Sequence, residues 1–130
     1  MSGEVQHFEI PYDKADRAKK FYSTVFGWKM DEVPEMEYTL VRTGPVDDKG
    51  WPTKLGNVNG GMMKRKSPVK TPVITITVDD IDATLKMVLD AGGKSLVAKM
   101  PVGQMGWSAY FKDSEGNVVG LFQRTSTEHM

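Results

Sequence analysis

The sequence predicts a mixed α+β protein built from two tandem βαβββ modules that together make one domain over residues 1–130. Three observations carry that expectation. An offset of 66 residues lays one stretch of chain over another, so that Asp13 falls on Asp79, Asp16 on Asp82 and Gly27 on Gly93. Each copy opens on period-two alternation. Each then runs through an amphipathic stretch that closes on glycine. The copies span about residues 4–66 and 70–124.

The opening strand of the first copy puts Phe8, Ile10 and Tyr12 on one side and His7, Glu9 and Pro11 on the other. In the second copy Ile74, Ile76 and Val78 take the first side, and Val73, Thr75 and Thr77 the other. An aspartate follows each strand at a helix N-cap position: Asp13 in the first copy, Asp79 or Asp80 in the second. The first helix is expected to turn Ala15, Ala18, Phe21 (or Tyr22) and Val25 inward. The second turns Ile81, Leu85, Val88 and Leu89 inward. Three strands follow each helix, near 28–33, 37–42 and 57–64, then near 95–100, 106–112 and 118–124. Turn chemistry separates them, most plainly in Asp113-Ser114-Glu115-Gly116-Asn117. The segment 44–56, which carries Trp51, is longer than a hairpin requires, and loops of that length are often functional.

Composition narrows the function classes. Seventeen basic and seventeen acidic residues cancel, which removes the electrostatic attraction that nucleic-acid binding rests on. The chain holds no cysteine, so disulfides, thiolate metal sites and cysteine nucleophiles are excluded. No apolar run approaches the roughly 18 residues of a membrane helix, and Met1-Ser2-Gly3-Glu4 lacks the basic-then-apolar pattern expected of a signal peptide. A cytoplasmic protein with no membrane partner is expected.

The duplication, the opening HFEIP…DRAKKFYSTVFGW and the closing GWSAYFKDSEGNVVGLFQ resemble the vicinal oxygen chelate superfamily, which includes glyoxalase I, extradiol dioxygenases, methylmalonyl-CoA epimerase and bleomycin-resistance proteins. The resemblance implies the glyoxalase-like fold, in which each copy is a curved four-stranded sheet and the two make a cup-shaped mixed sheet. It also implies a homodimer, and a small molecule bound in the cup. Metal-dependent members hold their ion with His or Gln from the opening strands and Glu from the closing strands. Carried over position by position, the first ligand is His7, but the second copy offers Val73. The D-x-x-G-x-x-x-E spacing that starts at Asp113 ends on Gly120, and aligning GNVNGG with GNVVGL puts Gly60 in the remaining place. One ligand of four survives, so no metal or other cofactor is expected.

His7 and Glu9 become the acid–base candidates, two residues apart on one face. Thr75 and Thr77 would complete a polar floor, with Trp107, Phe122 and Met62 as apolar walls and extra space over Gly60 and Gly120. Phe111 reads as core, Lys64-Arg65-Lys66 as a solvated strand end, and His129 as part of a polar tail. The expected function is small-molecule binding or metal-independent chemistry. A metal-dependent lyase, isomerase or dioxygenase using His7 and Glu9 with other ligands is the alternative. If the chain is an enzyme, the resemblance implies one related to lactoylglutathione lyase.

Overall fold

A computed structural model describes residues 3–125, and His129 lies outside them. The described residues divide into two compact units: His7–Pro72, and residues 73–125 together with residues 3–6. Both have the same plan. The first is built on β1 (Glu4–Tyr12) from His7 on, α1 (Ala15–Phe26), β2 (Lys29–Val33), β3 (Tyr38–Arg42) and β4 (Gly60–Lys64). The second has β5 (Val73–Thr77), α2 (Ile81–Asp90), β6 (Lys94–Val102), β7 (Gly106–Lys112) and β8 (Val118–Arg124). The strand order is β2-β3-β4-β1 in one and β6-β7-β8-β5 in the other. In each, the closing strand runs parallel to the opening strand and antiparallel to the strand before it. The helices begin at Ala15 and Ile81, which keeps the 66-residue offset of the sequence. The βαβββ repeat is therefore real.

The two helices are held differently. Asp80 caps α2, its carboxylate accepting the Ala83 N–H at 3.1 Å, and the Gln123 side chain accepts the Ile81 N–H at 2.8 Å. The inner face of α2 is the expected one. Ile81 and Leu85 are buried, and with Val78, Ala109, Phe111, Val119 and Leu121 they form the core of this unit. Burying Ile81 and Leu121 stabilises the fold by about 2–3 kcal/mol each. The exception is Leu89, which is exposed.

At α1 two expectations fail. Asp13 caps nothing: the N-cap is Lys14, without a side-chain bond, and Asp13 instead pairs with the Arg65 guanidinium at 2.9 Å. Arg65 sits across from it because the end of β4 meets the end of β1, where the Arg65 N–H bonds the Tyr12 carbonyl. Phe21 and Val25 also stay more than half exposed. Ala15, Ala18, Lys19 and Tyr22 are the shielded positions, and Tyr22 stacks on Trp28 with centroids 4.9 Å apart. A one-residue choice between Phe21 and Tyr22 rotates the stripe by about 100°, and the Trp28 ring decides it for Tyr22. Gly27 ends the helix with φ of 73°, its N–H returning to the Ser23 carbonyl. Among the described residues no helix is long and apolar enough to cross a membrane.

Candidate functional site

Register decides which side chains meet on the sheet of the first unit. β1 and β4 pair Phe8 with Gly60, Glu9 with Gly61 and Ile10 with Met62. Paired residues point to one side, so Phe8, Gly60, Ile10 and Met62 face α1 while His7, Glu9, Gly61 and Met63 face away. β3 adds Tyr38 and Leu40 to this second face through their pairs Met63 and Gly61.

Three polar groups converge there. The Tyr38 hydroxyl donates to Glu9 Oε2 at 2.9 Å and lies 2.7 Å from His7 Nε2. A phenol has one proton, and it is committed to the carboxylate. The His7 Nε2 facing that oxygen must then carry a hydrogen and donate it, which leaves the Nδ1 lone pair unprotonated when the ring is neutral. Burial drives the ring to that neutral state, lowering the His7 pKa from 6.5 to about 4. Glu9 is itself buried, at 8% exposure, where an ionised carboxylate needs partners. The chain His7–Tyr38–Glu9 is continuous.

Two local features admit the tyrosine. Gly61 has no side chain, and a Cβ there would collide with the Tyr38 hydroxyl and ring. Ahead of Tyr38, the short 3-10 turn Pro34–Met36 ends at Glu37, which holds a left-handed φ of 50°. That conformation costs a residue with a Cβ about 1–2 kcal/mol, and here it swings the chain into β3.

Several expected site residues sit elsewhere. Met62 is fully buried on the α1 side, so it walls no space beside His7; its neighbour Met63 is the one on that face. Gly60 opens no cavity, because a Cβ there would lie 2.5 Å from the Phe8 ring and carbonyl. Trp107 packs against the α2 core, with Lys99 Nζ 5.0 Å above its ring. The odd positions of β7 carry the core, and Trp107 has the same parity as Ala109 and Phe111. Phe111 is core, as expected.

Thr75, Thr77, Gly120 and Phe122 do share one face of the second unit, through the pairs Thr75–Gly120 and Thr77–Phe122. Both threonines are buried. Space over Gly120 is nonetheless taken, since a Cβ would lie 2.9 Å from Thr75 Oγ1 and 3.5 Å from the Tyr110 ring. In each unit, then, a tyrosine from the preceding strand lies against a glycine of the closing strand.

Tyr38 is the member of this hydrogen-bonded group that sequence reasoning missed. Its signal was present in the paired Gly60-Gly61 of a strand, a mark of close approach by another group. A separate cavity of about 360 Å³ lies at the far end of β2 and β3, lined by Gly27, Lys29, Arg42, Thr43, Gly44, Pro45 and Val46. Trp51 is exposed in the loop beyond, which closes on itself through Asp47.

Comparison with known proteins fits this architecture. Residues 5–44 match a family model described as Bleomycin resistance protein-like N-terminal. A glyoxylase-like domain-containing protein of Didymella fabae is 30% identical, over 95% of this chain and 96% of that protein. A lactoylglutathione lyase of Haemophilus influenzae is also 30% identical, over 96% of each chain. The chain belongs to the vicinal oxygen chelate superfamily.

Within that superfamily its length relative to kin varies. A Mycobacterium tuberculosis protein that carries the name "Putative glyoxylase CFP32" is 30% identical over 82% of this chain, which spans only 40% of the length of that relative. Among solved structures, a hypothetical protein of Bacillus halodurans aligns at TM-score 0.65 and 14% identity, over 97% of each chain. A Streptomyces coelicolor methylmalonyl-CoA epimerase variant in complex with 2-nitronate-propionyl-CoA aligns at 0.66 and 15%, over 97% of this chain and 100% of that one. At such identity these matches speak for the glyoxalase-like fold alone.

Few donors stand at the positions where the resemblance places metal ligands. Val73 has no ligating atom, and the closing strands present glycine at Gly120 and at both Gly60 and Gly61. Two donor residues remain, His7 and Glu9, and the Tyr38 hydroxyl bridges His7 Nε2 and Glu9 Oε2. Among the described residues no three His, Asp or Glu side chains are grouped closely enough to hold a metal.

Proposed function

We propose that this glyoxalase-like protein binds a small carbonyl or thioester-like compound and moves a proton on it without a metal, through His7, Tyr38 and Glu9. The observation that carries the proposal is the hydrogen-bonded chain from His7 Nε2 through the Tyr38 hydroxyl to Glu9. In this scheme His7 Nδ1 takes a proton from the carbon beside the carbonyl. The C–H electron pair moves to the carbonyl oxygen as an enolate. The Nε2 proton then passes to the Tyr38 oxygen as the Tyr38 proton passes to Glu9. Histidine and tyrosine end neutral, and the carboxylate holds the extra proton.

That relay answers a difficulty set by burial. An imidazole whose pKa is about 4 is a weak base by itself, and the carboxylate behind it supplies the acceptor. Return of the proton to the other face, or to the neighbouring carbon, completes an isomerisation. The names of two relatives, lactoylglutathione lyase and glyoxylase-like protein, suit a carbonyl compound.

Binding without turnover is a second reading, favoured by the match of residues 5–44 to the bleomycin-resistance-like model. A homodimer belongs to the same proposal, since Phe21, Val25 and Phe26 leave apolar surface on α1 for a partner. A thermal-shift screen of small carbonyl metabolites in chelator tests the site. Ligands should stabilise the wild type and not His7→Ala; equal stabilisation of both would place the site elsewhere.

A further inference from the structure

We propose that the cavity at the far end of β2 and β3 is an anion-binding subsite, built on Lys29 and Arg42, that takes the charged group of the same molecule whose carbonyl meets His7. Lys29 and Arg42 are register partners across the β2–β3 ladder, so their side chains leave the sheet on one face. Asp31, two residues along β2, occupies Arg42 Nε at 2.8 Å and orients the guanidinium. A guanidinium has five N–H donors, and that contact uses one edge, leaving the Nη hydrogens for a second anion. Lys29 has no acidic partner among the described residues. Lys29 and Arg42 are the charged residues that line the space, and the carboxylate bonded to Arg42 is that of Asp31.

The space fits more than a water. It measures about 360 Å³, within the usual range for ligand pockets, and Gly27 leaves open room beside the backbone, while the Asn57 side chain fills the space over Gly44. Its place on the sheet is what links it to the chemistry. Tyr38, Leu40 and Arg42 alternate to one face of β3, the face that also carries His7, Glu9 and Gly61. Four residues along an extended strand set Arg42 about 13 Å from Tyr38. A compound that reaches both would carry its anionic group about that far from the reacting carbon. Phosphate and carboxylate share the chemistry this corner recognises.

This inference rests on the proposed function only for the link to His7; the subsite itself is tested without it. Isothermal titration of inorganic pyrophosphate and, separately, succinate is made into wild type, Lys29→Gln, Arg42→Gln and His7→Ala. At least one anion should bind saturably to wild type and to His7→Ala alike. Each of the two cation variants should weaken it tenfold or more, with unchanged unfolding midpoints showing that they still fold. Whichever anion binds more tightly names the charged group. No saturable binding by wild type up to millimolar anion, or binding undiminished in Arg42→Gln, would overturn the subsite. Loss of anion binding in His7→Ala would overturn its independence from the acid–base chain.

Discussion

Tyr38→Phe removes one oxygen and keeps the ring, so it isolates the hydrogen-bonded chain from its packing. In the wild type that oxygen serves a buried carboxylate at 2.9 Å and an imidazole at 2.7 Å. A hydrogen bond to a charged group contributes about 1.5–3 kcal/mol and a neutral one about 1 kcal/mol. The two share a hub and are not additive, so a loss of about 2–3 kcal/mol is expected. Urea unfolding reads this directly: the midpoint should fall by about 1–2 M with the slope unchanged, and Tm by about 10 °C. A companion variant separates geometry from chemistry. Gly61→Ala must expel the Tyr38 ring and should cost at least as much, while in a Tyr38→Ala background the same change should be nearly free. A Tyr38→Phe protein within about 0.5 kcal/mol of wild type, below the cost of even one such bond, would refute the chain.

Four further outcomes follow from the same structure. His7 has a folded pKa of about 4 against 6.5 unfolded, so between those values the unfolded chain binds more protons. Stability should therefore be full above pH 6.5 and fall by about 3 kcal/mol as pH drops to 4, and His7→Gln should flatten that slope in urea titrations at several pH values. Gly60→Ala meets the Phe8 backbone and ring and should cost more than 2 kcal/mol, whereas Gly120→Ala meets chiefly the Thr75 hydroxyl and should cost about 1 kcal/mol; thermal unfolding of the pair ranks them. Asp80→Ala should lose about 1 kcal/mol with the α2 cap, and Asp13→Ala less than half of that, because Asp13 makes only an exposed ion pair. Sedimentation at micromolar concentration should give about twice the 14.5 kDa chain mass; a monomer would remove the dimer from the proposal.

Much of this was legible in the sequence, and the failures have physical causes. Period-two alternation assigns faces without knowing the partner strand, so His7 and Glu9 on one side, and Phe8 and Ile10 on the other, could be read from β1 alone. Register is different. Whether Gly60 or Gly61 stands beside Glu9 depends on a one-residue slip between β1 and β4, and a slip of one exchanges the faces. That is why Met62 and Gly60 were expected beside His7 when Met63 and Gly61 are there. Trp107 was misplaced by the same parity on β7, where it pairs with Gln123 and so takes the face opposite Phe122. Tyr38 was missed for another reason: it reaches Glu9 from 29 residues away, across β4, and Gly60-Gly61 marks a close approach without naming the group that makes it. At Asp13, cap chemistry lost to Arg65, whose position depends on where β4 ends.

Metal-independent proton transfer through His7 is the central claim, and hydrogen–deuterium exchange at carbon tests it most directly. Protein stripped with chelator is incubated in D2O with a panel of small α-hydroxy-carbonyl compounds and thioesters, and loss of the α-proton signal is followed by NMR. Stripped wild type should accelerate exchange on at least one class, and general-base loss in His7→Ala should slow it by about a hundredfold or more, with Tyr38→Phe in between. Exchange that appears only when a divalent metal is restored, or that persists undiminished in His7→Ala, would contradict the claim.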